Sequence, residues 1–175
     1  MKKILVRFVF ICLILINLSV FVQANETWDA NSGPYSLNLM EGEEKAESII
    51  QLDAEHYVTV ILTEERFHSP MRNTVRRKLT ADYTVKNITG RVMGSLTVKG
   101  TFDTNGSTST PVEIYGYGSV VGYDVQNTDN SLGSPGSNSW ASSTLVCVPL
   151  DYLANFARTC TITCDANGNN SASWN

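Results

Sequence analysis

Residues 79–103 read LTADYTVKNITGRVMGSLTVKGTFD, and this stretch decides the fold class. Apolar side chains alternate with Thr, Asp, Ser and Lys on either side of the segment 87–90, where Gly90 allows a turn. Strict alternation with period two on both sides of a turn predicts two adjacent antiparallel strands, each with one buried face. We therefore place strands at 79–87 and 92–103.

The sequence on both sides of this hairpin also consists of strand-like segments separated by turn residues. Segments rich in β-branched residues are bounded by Gly, Pro, Asn and Ser, and Asn105-Gly106 suits a tight turn. Several short strands with turns between them predict a mainly β, antiparallel, sandwich-like single domain or an open barrel. The further strands are expected at 57–63, 112–125, 145–148 and 159–165, and a Ser/Asn/Gly/Pro loop at 126–143.

The N-terminus has the pattern of a secretory signal peptide. Basic residues precede an apolar stretch at 8–22, and Val22-Gln23-Ala24 fits the small-x-small rule of a cleavage site. We expect residues 1–24 to be removed and the protein to be secreted, either extracellular or associated with the cell wall. The alternative is a retained membrane anchor, because the apolar stretch is near the length that spans a bilayer. After cleavage no membrane span is expected.

Residues 25–44 are polar, and they are predicted to form a leader that precedes a domain at 45–175. At the start of that domain, Ala46, Ile49 and Ile50 have helical spacing. Acidic residues precede them, which suits the positive end of a helix dipole. A short N-terminal helix is therefore expected at 43–52.

Loss of the signal peptide changes the charge of the chain. It removes three of the 13 basic residues and none of the 17 acidic ones, so that the formal charge becomes −7. A nucleic-acid partner is not expected, because such partners require a basic surface. One basic run stands out, formed by Arg72, Arg76, Arg77 and Lys78. We expect an exposed loop there; the alternatives are a site for an anionic polymer and a processing site that makes 25–77 a pro-segment.

Three cysteines remain after cleavage, Cys147, Cys160 and Cys164. In an oxidising exterior a disulfide is the default expectation. Cys160 and Cys164 lie about 13 Å apart along one strand, at about 3.3 Å per residue, which is too far for a bridge. Cys147 is therefore the expected partner of one of them, and which one stays open. A metal site is not expected, because three Cys without a well-placed His do not make the closed four-ligand set that zinc prefers.

The sequence carries no catalytic or cofactor motif. There is no Gly-x-Ser-x-Gly nucleophile elbow, and His56 and His68 are expected to be solvated surface residues. The alternative for the two histidines is a metal site or an acid/base pair with nearby carboxylates. We therefore expect no catalytic residue, no metal ligand and no cofactor.

Tyrosines are concentrated near the middle of the chain. Tyr115, Tyr117 and Tyr123 share parity along one predicted strand, and Trp140 lies in the loop that follows. Aromatic side chains on one face can stack on sugar rings; the alternative is half-buried packing with the hydroxyl groups at the rim. Both interpretations stay open at the level of sequence.

Four segments carry a resemblance to known proteins: YTVKN at 83–87, LTVKGTF at 96–102, NGST at 105–108 and CTITCDANG at 160–168. In these segments the chain resembles a group of small secreted β proteins of Gram-positive, often clostridial, bacteria. That group has no established function. The resemblance therefore implies export and a β fold, and it transfers no site residue.

Together these features predict a secreted, non-catalytic binding or surface-interaction module. Its partner is unknown from sequence, and a cell-surface glycan or a protein are the classes that fit. The alternative is a secreted glycan or cell-wall hydrolase that uses paired carboxylates among Asp82, Asp103, Glu113 and Asp124. Such pairs work at a separation of about 5 to 9 Å, which the sequence does not determine.

Overall fold

The computed structural model describes residues 35–68 and 73–175 of the chain. These residues form ten strands and no helix, so none of them belongs to a helix that could cross a membrane. The strands are β1 (Tyr35–Leu39), β2 (Lys45–Gln51), β3 (His56–His68), β4 (Val75–Asn87), β5 (Val92–Thr104), β6 (Ser109–Val120), β7 (Tyr123–Leu132), β8 (Asn138–Pro149), β9 (Phe156–Asp165) and β10 (Asn170–Trp174).

All ten strands belong to one antiparallel sheet. From β3 to β10 each strand lies beside the strand that precedes it in the chain, whereas β1 pairs with the last strand, β10. The two edges of the sheet, β1 and β2, are therefore brought together, and β1 also lies close to β3. The result is a nearly closed barrel, which confirms the predicted mainly β, antiparallel, sandwich-like or open-barrel fold.

The hairpin that decides the fold class forms as predicted. In β4, Leu79, Ala81, Tyr83 and Val85 all face inward and are buried. Their polar neighbours lie on the outer face, as the period of two requires. Pairing with β5 runs along the whole strand and shifts by one residue near Val85. The interior is completed by side chains from the other strands, among them Leu39, Leu62, Phe102, Leu145, Ile162 and Trp174.

Aromatic contacts close the barrel across its interior. The ring of Tyr83 on β4 lies 5.6 Å from that of Trp174 on β10 and 5.9 Å from that of Tyr35 on β1, measured between centroids. The guanidinium of Arg158 lies 5.7 Å from the centroid of the Tyr83 ring. The first and last described strands are therefore held against the central hairpin by ring packing.

The sheet is interrupted between β6 and β7. These strands pair only at Val120 and Tyr123, although β7 pairs with β8 over its whole length. A turn at Val121-Gly122 separates them, and Gly122 has a φ of 80°, which favours glycine. The prediction of one strand at 112–125 is therefore wrong: the region contains two strands.

The predicted helix at 43–52 is wrong, because Lys45–Gln51 forms the edge strand β2. Its inward positions, Ala46 and Ile50, lie opposite Leu62 and Val58 of β3. A single helix of ten residues is marginal in water, whereas β3 offers a full row of backbone hydrogen-bonding groups. Ile49, which helical spacing would bury, is instead 66% exposed.

Two further segments were not expected to be strands. The predicted polar leader at 25–44 contains β1, in which Leu37 and Leu39 are buried, so the leader prediction is wrong for these residues. The predicted loop at 126–143 contains most of β7 and the start of β8. The predicted signal peptide and residues 25–34 lie outside the described residues.

Candidate functional site

Two tyrosines stand on the outer face of β6. Tyr115 is 43% exposed and Tyr117 is 49% exposed, and their ring centroids lie 6.2 Å apart with an angle of 21° between the ring planes. Large apolar rings usually bury most of their surface, so two neighbouring exposed rings on one face of a strand mark a candidate contact surface.

The inward residues of β6 explain why the tyrosines point outward. A Cβ atom at Gly118 would lie 2.6 Å from the carbonyl oxygen of Ser95, and one at Gly116 would lie 2.8 Å from the Oγ atom of Ser143. The inner face of this strand therefore has no room for a side chain at these two positions. The alternation Tyr-Gly-Tyr-Gly places the rings in solvent because the opposite register would drive them into the core.

Polar side chains surround the two rings. Lys99 lies opposite Tyr115 on the neighbouring strand β5, and its ammonium is 5.7 Å from the centroid of the Tyr117 ring. A hydrogen bond to Tyr117 raises the pKa of Lys99, so the ammonium stays charged. Thr97, opposite Tyr117, donates a hydrogen bond of 2.5 Å to Asp82 on β4. We call these five residues, Asp82, Thr97, Lys99, Tyr115 and Tyr117, the tyrosine face.

The other two aromatic residues of the predicted platform lie elsewhere. Tyr123 opens β7, and its ring packs edge-on against Phe156 with centroids 5.1 Å apart. Trp140 is on the outer face of β8, 44% exposed, with its indole beside Gly133. Tyr123 lies opposite the buried Val120, so it does not share the outer face of Tyr115 and Tyr117, and Trp140 stands on a different strand.

The candidate carboxylates of a hydrolase lie on strands that face solvent, and none of them lines the cleft described below. Asp82 is bonded to Thr97, and Asp103 forms two hydrogen bonds of 2.8 Å with Arg76. Glu113 accepts a long hydrogen bond of 3.4 Å from Thr101, and Asp124 bonds Gln126. Each carboxylate has a local partner that ties it to the sheet.

The basic run divides between the two faces of β4. Arg76 faces outward to Asp103, and the ammonium of Lys78 lies 5.0 Å from the centroid of the Phe67 ring. Arg77 between them is buried, with its side chain 7% exposed. The predicted exposed basic loop is therefore wrong at 76–78, because alternation along a strand sends the middle residue into the barrel. Arg72 lies outside the described residues.

Arg77 belongs to a buried ionic cluster with Glu64 and Arg66. The Nη1 atom of Arg77 donates to one oxygen of Glu64 at 2.5 Å, and the Nη2 atom of Arg66 donates to the other at 2.6 Å. The Nε atom of Arg77 donates to Thr104 at 3.0 Å. The side chain of Glu64 is 0% exposed, so two guanidinium groups share one fully buried carboxylate.

A cleft opens above this cluster, at the end of the barrel where β3, β5 and β9 finish. Its volume is about 400 Å³, which lies in the range of small-molecule sites. The guanidinium of Arg77 lies at its base against Gly168, whose φ of 96° and missing side chain leave room for it. We call this the end cleft; its polar lining includes Glu41, His68, Asn73, Arg77, Asn105 and Asn167.

The two histidines stand at opposite ends of β3. The Nδ1 atom of His56 lies 3.0 Å from a carboxylate oxygen of Asp53, whereas His68 lines the end cleft. They therefore share no site. Within the described residues, no group of three or more His, Cys, Asp or Glu side chains is arranged to hold a metal ion.

The three cysteines are free, buried thiols in the described structure. The register of β8 and β9 places Cys147 opposite Phe156, Cys160 opposite Ser143 and Cys164 opposite Ser139. The thiols therefore stand four residues apart along the barrel, about 13 Å at the rise of a strand. The expected disulfide from Cys147 to one of the other two is not formed, because the register that buries all three also separates them.

We expect the stability of the protein to fall above about pH 9. Burial raises the pKa of Cys147 and of Cys164 from 9.0 to about 11 and also raises that of Cys160. These thiols are neutral when folded but ionise near pH 9 when unfolded, so each removes about 1.4 kcal/mol per pH unit between its two pKa values. Urea unfolding between pH 7 and 10.5 measures this loss.

The Cys147→Ala variant is expected to lose less stability between pH 9 and 10.5 than the original chain. A thiol count gives a second check: Cys147, Cys160 and Cys164 should resist a thiol reagent in the folded protein and all react after denaturation without a reductant. A denatured, unreduced protein with only one reactive thiol among the three would show that two of them form a disulfide.

Comparisons of the chain with protein-family models, with curated proteins and with solved structures find no match. The class of the protein is therefore defined by its own architecture. It is a small antiparallel β domain, nearly closed into a barrel, with a solvent-exposed tyrosine face on one side and a polar cleft at one end.

Proposed function

We propose that the protein is a secreted, non-catalytic binding module that holds sugar rings of a surface glycan against the tyrosine face. The observation that carries this proposal is the pair of adjacent exposed rings, Tyr115 and Tyr117, on the outer face of β6. The apolar side of a sugar ring can cover an aromatic ring, while the phenol hydroxyl keeps its contact with water.

Polar neighbours of the rings support the choice of a sugar over an apolar protein surface. Lys99 supplies N–H donors and Asp82 supplies a carboxylate, on the outer faces of β5 and β4 beside Tyr117, while the buried Thr97 holds that carboxylate by a hydrogen bond. A few placed polar groups beside an apolar surface are the usual composition of a ligand site that orients hydroxyl groups.

Hydrolysis of a glycan has less support than binding. A glycosidase needs two carboxyl groups that converge on one bond, one of them able to give up a proton. Here Asp103 is held by two hydrogen bonds to Arg76, and Asp82 is held by Thr97. These carboxylates lie on open sheet faces, where water is not excluded.

The double variant Tyr115→Ala/Tyr117→Ala is expected to bind glycan about tenfold or more weakly than the original chain. Each lost ring contact is worth about 0.5–1.5 kcal/mol. Depletion of protein by insoluble peptidoglycan, chitin and cellulose, together with affinity electrophoresis in xylan and soluble glucan, measures the effect. Folding should be retained, because both side chains lie on the solvated face.

Tyr152→Ala is the matched control, since Tyr152 is fully exposed but stands in the connection between β8 and β9. Its binding should equal that of the original chain. The proposal is wrong if none of these polysaccharides retains the original chain, or if the double variant binds as tightly as the Tyr152 control.

A further inference from the structure

The end cleft is separate from the tyrosine face and has its own chemistry. Its base is the guanidinium of Arg77, which carries five N–H groups. One of them donates to Thr104 and one to Glu64. The hydrogen bonds of the described residues include none from the Nη2 atom of Arg77, although the residue lines the cleft. The two N–H groups of Nη2 therefore remain for a ligand.

The positive charge of Arg77 favours an anion over a neutral ligand. Arg77 is the one guanidinium among the described residues that line the cleft. Glu64, its buried partner, is not part of that lining, and Arg66 is also acted on by Glu41 and Glu44. Hydrogen bonds from a guanidinium to a carboxylate are about twice as strong as those between neutral groups. Among the described residues, the acid that lines the cleft is Glu41, which is exposed.

The walls of the cleft are rich in amides. The Oδ1 atom of Asn105 already accepts the backbone N–H groups of Ser107 and Thr108, at 3.0 and 2.7 Å, which leaves its NH₂ group for a ligand. Asn73 and Asn167 add two more exposed amides to the lining. Amides both donate and accept, which is what the hydroxyl groups of a sugar require.

We propose that the end cleft binds a sugar that carries a carboxylate, such as a uronic acid, with the carboxylate on the Nη2 atom of Arg77 and the hydroxyl groups on the surrounding amides. The volume of about 400 Å³ suits a small ligand of this kind. This inference does not depend on the tyrosine face, which recognises its ligand through ring stacking.

Titration of the ¹⁵N-labelled protein with glucuronic acid and with glucose tests the proposal. The two sugars differ only in the carboxylate, so glucuronic acid is expected to shift the amide signals of Gly106, Ala166 and Asn167 with at least tenfold higher affinity. Acetate, which offers the carboxylate without the hydroxyl groups, should bind at least tenfold more weakly than glucuronic acid. Equal affinities for glucuronic acid and glucose, equal affinities for glucuronic acid and acetate, or no shifts at all would overturn the proposal.

Replacement of Arg77 itself could unfold the protein, so the second test changes the charge of other residues that line the end cleft. Glu41→Gln should tighten binding of glucuronic acid about three- to tenfold, because it removes a negative charge from the cleft. Asn167→Asp should weaken it to a similar extent. Asp124→Asn, at the far end of the barrel on β7, is the matched control and should leave the affinity within twofold. Unchanged affinity in Glu41→Gln would exclude the carboxylate recognition.

The experiments test glycan binding on the tyrosine face and uronic-acid binding in the end cleft independently of each other. Tyr115→Ala/Tyr117→Ala should bind glucuronic acid as the original chain does, because its substitutions lie on the outer face of β6 and outside the cleft lining. A loss of glucuronic acid binding in this double variant would place the uronic acid on the tyrosine face and would overturn the assignment to the cleft.

Discussion

Replacement of Glu64 by glutamine is expected to lower the free energy of unfolding by about 3–5 kcal/mol, the usual cost of removing one partner from a buried ion pair. The carboxylate is 0% exposed and accepts hydrogen bonds from Arg77 and Arg66 at 2.5 and 2.6 Å. Glutamine keeps the size of the side chain but removes the carboxylate that the buried guanidinium of Arg77 and that of Arg66 share. Urea unfolding at pH 7 measures the loss.

Asp103→Asn is the matched control for this prediction. Asp103 also bonds an arginine, Arg76, through two hydrogen bonds of 2.8 Å, but its side chain is 33% exposed and that of Arg76 is 50% exposed. Exposed pairs contribute about 0–1 kcal/mol, because water replaces the lost partner. Similar losses in the two variants would show that burial does not set the strength of the Glu64 cluster.

Gly118→Ala is expected to destabilise the protein by about 1–3 kcal/mol through overpacking. The new Cβ atom would lie 2.6 Å from the carbonyl oxygen of Ser95 and equally close to a methyl group of Leu96. The methyl group can rotate away, but the carbonyl oxygen is part of the backbone of β5 and moves only with the strand. The loss is measured as the shift in the midpoint of urea unfolding at constant slope.

Gly136→Ala is the control for the loss of glycine itself. The atoms nearest to its Cβ, both in the backbone of Asn138, lie 3.6 and 4.0 Å away, which is ordinary contact. Its expected effect is within about 0.5 kcal/mol. If Gly118→Ala were equally mild, β6 would not be packed tightly against β5, and the outward position of the tyrosines would need another explanation.

The large effect expected for Glu64 arises in a cluster whose members local sequence does not bring together. Arg77 stands in a basic run for which the sequence predicts an exposed loop, yet it faces the interior beside Glu64. Glu64 lies one residue beyond the strand predicted at 57–63, yet it is the most buried carboxylate among the described residues. Local composition predicts that both side chains are exposed, and only the pairing of β3 with β4 shows that Arg77 and Glu64 are in contact.

The tyrosine face could be predicted in part. The parity of Tyr115 and Tyr117 was correct because both lie on one uninterrupted strand, where side chains alternate. Tyr123 was misplaced because a turn at Gly122 starts a new strand and a new register. The cleft was not predicted, since its residues come from connections that are distant in the chain.

Period-two alternation by itself determined the mainly β fold, the antiparallel hairpin of β4 and β5, and the four buried apolar residues of β4. It did so because a strand with one buried face leaves its pattern in local sequence. Tertiary structure decided three other features: the strands at 35–39 and 45–51, the closure of the sheet by β1 beside β10, and the separation of the cysteines. These features depend on pairing between segments distant in the chain, and a short polar or ambiguous segment becomes a strand only when a neighbouring strand offers it backbone partners.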